Sequence, residues 1–197
     1  MHAFENGDFT VIISLYGYKG SGKSTAAAFL MQEQEFALTK FAQPLKNFLY
    51  DLGLETEHVE GDLKEAPCDL LCGKSPRHAM QTLGTEWGRK CIGEDFWVNV
   101  WKDTVQWTLS YDGVHVVVDD MRFPNEAFAV KSLGGVLVRI VRGNRPVDTH
   151  ESEAHISGIV PDYTIVNNGS TDDLRHALED LLCKLQGAPE EAAGEPF

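Results

Sequence analysis

The stretch FTVIISLYGYKGSGKST, Phe9 to Thr25, carries the strongest structural signal in the chain. Its first half, Phe9 to Tyr16, is β-branched, aromatic and almost continuously apolar, which predicts a strand buried on both faces, as at the centre of a parallel sheet. Its second half has the spacing Gly17-x₄-Gly22-Lys23-Ser24 of a Walker A phosphate loop. The Ala-rich segment Ser24 to Gln34 then predicts a helix, so the glycines stand between strand and helix as phosphate binding requires. Gly17, Gly20 and Gly22 let the backbone aim several N–H groups at phosphate oxygens, and the helix start adds its dipole. The expected nucleotide-binding set is Gly17, Lys19, Gly20, Ser21, Gly22, Lys23, Ser24 and Thr25. Lys23 reaches the β- and γ-phosphates of ATP, and the Ser24 hydroxyl ligates magnesium.

Downstream, strands and helices alternate. A short strand at Phe36 to Lys40 precedes a helix opened by Pro44. Helices are predicted over Arg77 to Cys91 and Asp95 to Leu109, and strands over Val114 to Val118, Val136 to Arg142 and Tyr163 to Val166. A helix from Pro124 is stopped by Gly134-Gly135, and one from Thr171 to Leu185 closes the fold. The expected class is therefore α/β, a three-layer sandwich with a mostly parallel central sheet and helices on both faces. One domain spans residues 1–186, with a helical substrate-binding insertion over about 53–110 and a lid-like loop over about 143–159; residues 187–197 form a disordered tail. Residues 53–75 lose the helical period and read as a loop or loosely helical insertion.

Thirty acidic residues against 17 Lys and Arg give a formal charge of −13, which disfavours a nucleic-acid polymer as partner. A mononucleotide remains suitable, because one cationic pocket and a metal ion neutralise it. Cys68, Cys72, Cys91 and Cys183 have no disulfide-framework density, and Cys68-x₃-Cys72 lacks a second ligand pair for zinc. No apolar run approaches the ~20 residues that cross a bilayer. A cytoplasmic location is expected.

A kinase needs a second anion site opposite ATP. Lys46, in the first turn of the helix after Pro44, is one candidate, with a solvated surface lysine as the alternative. Arg77, Gln81 and Thr85 recur at a spacing of four and share a helix face, where an Arg suits a phosphate and a Gln a base edge. The carboxylates of VVVDDMRFPNEA stand at the end of a buried strand, where P-loop enzymes place a magnesium-associated acid. Asp120 is taken as that acid and Arg122 as a phosphate partner, against a plain Asp–Arg bridge; Glu126 caps or pairs within the next helix. Arg142 and the charged loop after it, with Arg145, His150 and Glu153, can close over the nucleotide. Asn168, in the turn after the last strand, is an adenine contact or an ordinary left-handed turn. The expected catalytic group is Lys23, Asp120, Arg122 and Arg142.

With these residues in view, the chain resembles the deoxynucleoside monophosphate kinases of tailed bacteriophages from Gly17 to about Leu182. The resemblance runs through GYKGSGKST, Pro44 to Lys46, RHAMQTLGTE from Arg77, FWV from Phe96, DDMRFPNE from Asp119, VRIVR, DTHESEA from Asp148 and NNGS from Asn167. It implies ATP-dependent conversion of deoxynucleoside monophosphates to diphosphates, a P-loop nucleoside monophosphate kinase fold and a homodimer in the infected bacterium. By motif position it supports Arg77, Gln81, Thr85, Asp120, Arg122, Arg142, His150 and Glu153 as site residues. Asp119 doubles the acid before the Met-Arg pair, so either carboxylate can face magnesium. Two other functions share the loop: a kinase acting on a modified base in DNA, and a nucleotide-driven switch without an acceptor.

Overall fold

In the computed structural model, which describes residues 10–111, 114–143 and 156–187, the apolar run forms a strand, β1 (Ile12–Tyr16), with every residue buried. The other strands are β2 (Phe36–Thr39), β3 (His115–Val118), β4 (Val136–Val141) and β5 (Tyr163–Val166). They form one sheet in the order β2-β3-β1-β4-β5, and all four pairings are parallel. Ile13 on β1 lies between Val117 of β3 and Val136 of β4. Parallel neighbours need crossover helices, and those helices are what bury the sheet on both faces.

Side chains alternate across β1 with the strand period of two. Ile13 and Leu15 pack with Ala26, Ala27 and Leu30 of α1 (Lys23–Glu33) and with Leu174, Leu178 and Leu181 of α7 (Thr171–Gly187). Ile12 and Tyr16 point the other way, to Trp101 and Val105 of α5 (Phe96–Leu109) and to Ala127 and Val130 of α6 (Pro124–Ser132). Trp101 satisfies its one donor by bonding Thr39 Oγ1 at 3.1 Å, which ties α5 to β2. Trp107, on the other side of α5, is 65% exposed, so the packing stripe of that helix is Trp97, Val98, Trp101 and Val105.

A smaller core sits apart from the sheet. Leu49 of α2 (Gln43–Asp51), Val59 of α3 (Thr56–Val59) and Met80 of α4 (Pro76–Gln81) meet there with Leu54. Residues 53–75 are thus short helical pieces, α3 and the 3₁₀ turns Asp62–Glu65 and Asp69–Leu71, held by a few apolar anchors. Their brevity explains why no helical period is visible in the sequence.

One expected helix is different in kind. The segment Arg77 to Cys91 is α-helical only to Gln81; Thr82–Ile92 is a π-helix, and its end is bonded from Gly93 N to Gly88 O at 3.0 Å, a five-residue step. Trp97 supplies the reason. Its indole N–H donates to Gly84 O at 2.9 Å, and its ring lies so close to Gly88 that a Cβ there would come within 2.2 Å of Nε1. Two side-chain-free positions and one bulky donor widen the turn. No helix among the described residues is long and apolar enough to cross a membrane.

Candidate active site

The phosphate loop joins β1 to α1 at the carboxyl edge of the sheet. Gly17 has φ +146°, and a Cβ there would meet the Ile140 carbonyl of β4 at 2.3 Å, so neighbouring backbone forbids a side chain as much as the dihedral does. Gly22 has φ +108° and lies under Asn167, whose Nδ2 donates to Ser21 O at 2.8 Å. Asn167 is buried, and it braces the loop from the end of β5. Lys23 curls over the loop and donates to the carbonyls of Gly17 and Tyr18 at 2.8 and 2.9 Å. Ser24 and Thr25, in the first turn of α1, are exposed, as are Lys19 and Gly20. Ser21 is buried, with its Oγ lacking a hydrogen-bond partner.

Beside this loop, β3 ends in the two carboxylates, and they do different things. Both Asp120 oxygens are engaged: Oδ1 accepts from Phe41 N and Oδ2 from Ala42 N, each at 3.0 Å. Asp120 thereby fastens the entry of α2 to the end of β3. Burial raises its carboxyl above the ordinary aspartate value, with Asp119 adding to the rise and the two N–H groups and Lys40 opposing it. Asp119 is the more buried of the two, and its Oδ1 lies 3.3 Å from Lys40 Nζ without hydrogen-bond alignment. Each Asp120 oxygen already accepts one backbone N–H, whereas Asp119 Oδ1 accepts no hydrogen bond, so of the two expected magnesium-facing carboxylates Asp119 is the less engaged. Asp120 does not pair with Arg122, whose guanidinium is exposed.

The acceptor candidates come from three elements. Lys46 is buried, not a solvated lysine, and its Nζ lies 2.5 Å from Glu60 Oε1. Arg77 is half-buried and ion-paired with Glu65. Gln81 and Thr85 are exposed, one on each side of the α-to-π junction. Arg142 is exposed at the end of β4, and the next residue, Gly143, donates its N–H to Asn168 Oδ1 at 2.6 Å. Asn168 therefore tethers the start of the loop that follows. Arg145, His150 and Glu153 lie outside the described residues.

A buried link that the sequence reading only half reached joins the two sides. Glu126 Oε2 accepts from Arg122 N at 2.7 Å and Phe123 N at 3.1 Å, capping α6. Its Oε1 accepts from Arg89 Nη2 at 2.7 Å, and the Arg89 guanidinium lies 3.9 Å from the Phe123 ring centroid. The pair is nearly dry, with side chains 14% and 5% exposed. Burial pushes the Glu126 carboxyl up to about 7, against the pull of Arg122 N–H, Phe123 N–H and Arg89 and with a further push from Asp120. The π-helix is thus bolted at Arg89 to the segment that carries Arg122. Of the two expectations for Glu126, capping or pairing within its own helix, the structure shows the cap, and the Arg89 partner 37 residues away has no local signal.

A Walker A loop on the middle strand of a five-stranded parallel sheet, with helices on both faces, defines the molecule as a P-loop nucleotide-binding protein. The crystal structure of TT1252 from Thermus thermophilus has the same fold, with a TM-score of 0.51 over 91% of this chain and all of that one at 16% identity. The chain belongs to the deoxynucleotide monophosphate kinase family, whose model matches residues 73–178. A protein of Acanthamoeba polyphaga mimivirus bearing that family name is 36% identical over 177 residues, 83% of this chain and 91% of its own. The deoxynucleotide monophosphate kinase of Enterobacteria phage T4 is 30% identical, covering 87% of this chain and 98% of its own.

Proposed function

We propose that the protein transfers the γ-phosphate of ATP to the phosphate of a deoxynucleoside 5′-monophosphate, in the cytoplasm of an infected cell, where it supplies diphosphates for DNA synthesis. The observation that carries this reading is the joining of a donor loop to an acceptor side: Asp120 binds α2, which bears Lys46, to the strand end beside the phosphate loop.

The residues fit a nucleotide with magnesium. Three buried polar atoms among the described residues lack hydrogen-bond partners, Ser21 Oγ, Asp119 Oδ1 and His58 Nδ1, and the first two stand at the phosphate loop and at the end of the strand beside it. Ser24 and Asp119 would hold the magnesium ion, directly or through its waters. The ion, when bound, neutralises charge on the phosphates. Lys23 exchanges its bonds to the Gly17 and Tyr18 carbonyls for phosphate oxygens, and the N–H groups of Gly20, Gly22 and Lys23 orient the chain of phosphates. Lys46, Arg77 and Arg122 hold the acceptor phosphate in line, while Gln81 and Thr85 face the base and sugar. An acceptor phosphate oxygen is already nucleophilic, so the protein needs no strong general base; it positions and neutralises. Arg142, with Asn168 behind it, serves the adenine side, and His150 and Glu153, outside the described residues, are further candidates for substrate contact.

The test is ADP release with each common ribo- and deoxynucleoside monophosphate, with Lys23→Ala as the inactive control. Acceptor-dependent turnover with deoxynucleotides is expected. ATP hydrolysis at one rate whatever monophosphate is present would refute the reading in favour of a switch, and label transfer to DNA alone would refute it in favour of a polymer acceptor.

A further inference from the structure

Residues 60–65 lie outside the span matched by the family model and place charge where the acceptor is read. Glu60, just after α3, meets Lys46 of α2, and Glu65, at the end of the 3₁₀ turn, meets Arg77 of α4. Lys64 sits on the same turn between these two contacts. Its side chain is partly withdrawn from solvent, yet it makes no hydrogen bond or ion pair among the described residues. Burial and then the charges of Arg77, Lys46 and Arg122 hold its ammonium below the ordinary lysine value, and Glu60 alone opposes them.

The 3₁₀ turn packs on α4, which also packs on α2, so Lys64, Arg77 and Lys46 lie on adjoining elements, and Arg122 adds its charge to theirs, in a chain whose overall charge is −13. Lys64 and Arg122 have no carboxylate bonded to them, while Lys46 and Arg77 each have one. Two positive charges are left over, which matches the roughly two negative charges of a phosphate monoester near neutral pH. Like charges repel one another in a half-buried site, so such a group is held together at a cost that an arriving dianion removes.

Resting on the kinase reading above, we infer that Lys64 is a ligand of the acceptor's 5′-phosphate, supplied by the 53–75 insertion to complete a site shared with Lys46, Arg77 and Arg122. The insertion is then part of the substrate site and not a spacer, and its lysine recognises the monophosphate group whatever the base.

Steady-state kinetics on Lys64→Met, Lys64→Arg and, as a charge control, the exposed Lys184→Met test this. Lys64→Met should raise KM for the deoxynucleoside monophosphate about tenfold with KM for ATP unchanged, and Lys64→Arg should recover most of the loss. Lys184→Met should match wild type. Thermal-shift titrations separate phosphate contact from shape: protection by inorganic phosphate and by the monophosphate should weaken in Lys64→Met, while protection by the bare deoxynucleoside stays the same. An acceptor KM within twofold of wild type overturns the inference, as does equal weakening for nucleoside and nucleotide, which would make Lys64 a packing residue. If wild type phosphorylates no monophosphate, the kinase reading fails. In that case the phosphate titration still judges Lys64, since unchanged protection by inorganic phosphate rejects it.

Discussion

Replacing each carboxylate at the end of β3 by its amide should separate stability from chemistry. In Asp120→Asn the side chain keeps its shape and one acceptor, but its NH₂ now faces one of the two N–H groups of Phe41 and Ala42 that the carboxylate accepted at 3.0 Å. One hydrogen bond to a charged acceptor is lost, about 1.5–3 kcal/mol. Burial disfavours the charged form of Asp120, so removing the charge returns part of that loss. A net destabilisation of about 1–2 kcal/mol follows, which for a chain of this size is roughly 2–8 °C in Tm. Asp119→Asn removes a 3.3 Å contact with Lys40 that lacks hydrogen-bond alignment but also relieves the desolvation of a buried charge, while Lys40, 21% exposed, can turn to water, so stability should change by less than about 1 kcal/mol. Turnover should divide the other way, falling about 100-fold or more in Asp119→Asn and much less in Asp120→Asn assayed well below its Tm. Calorimetry of ATP binding with and without magnesium gives a readout independent of turnover: the gain in affinity due to magnesium should shrink in Asp119→Asn alone. An Asp120→Asn protein with unchanged Tm and lost magnesium dependence, beside a fully active Asp119→Asn, would refute the assignment.

Further substitutions probe the supports of the site. Gly88→Ala puts a methyl within 2.2 Å of the buried Trp97 indole and should destabilise by about 1–3 kcal/mol in chemical denaturation, whereas Ala is normally the better helix former. Trp97→Phe deletes the donor to Gly84 O; a loss of about 1–3 kcal/mol is expected, with a higher acceptor KM if the π-helix places Gln81 and Thr85. Glu126 has a folded pKa of about 7, above its ordinary 4.5, so the folded chain holds more protons than the unfolded one between those values. Its contribution is fully present below about pH 4.5 and is lost as pH rises through about 7. The stability advantage of wild type over Glu126→Gln should therefore shrink from pH 5 to pH 8, by up to on the order of 3 kcal/mol; urea denaturation at the two pH values reads it, and a constant difference would contradict it.

What was legible in the sequence was local. The apolar run of β1 and the glycines after it lie within 17 consecutive residues, and a buried strand followed by a phosphate loop needs no distant partner to be recognised. Lys46 and Arg77 could be named from residue type and position, but their carboxylate partners lie in a segment too broken to show a period. The π-helix was hidden because its cause, Trp97, is on the following helix, and Asn167 because the loop it braces is 146 residues earlier. The two carboxylates show where local reading stops. Asp119 and Asp120 follow the last residue of β3 and take different partners, Lys40 for the first and the backbone of Phe41 and Ala42 for the second. Which of them meets the backbone at Phe41 and Ala42 depends on β2 lying beside β3, and that pairing is a property of the sheet order. Once β2 takes that place, the chain leaving it brings both partners: the N–H groups of Phe41 and Ala42 engage Asp120, and Lys40 comes to 3.3 Å from Asp119.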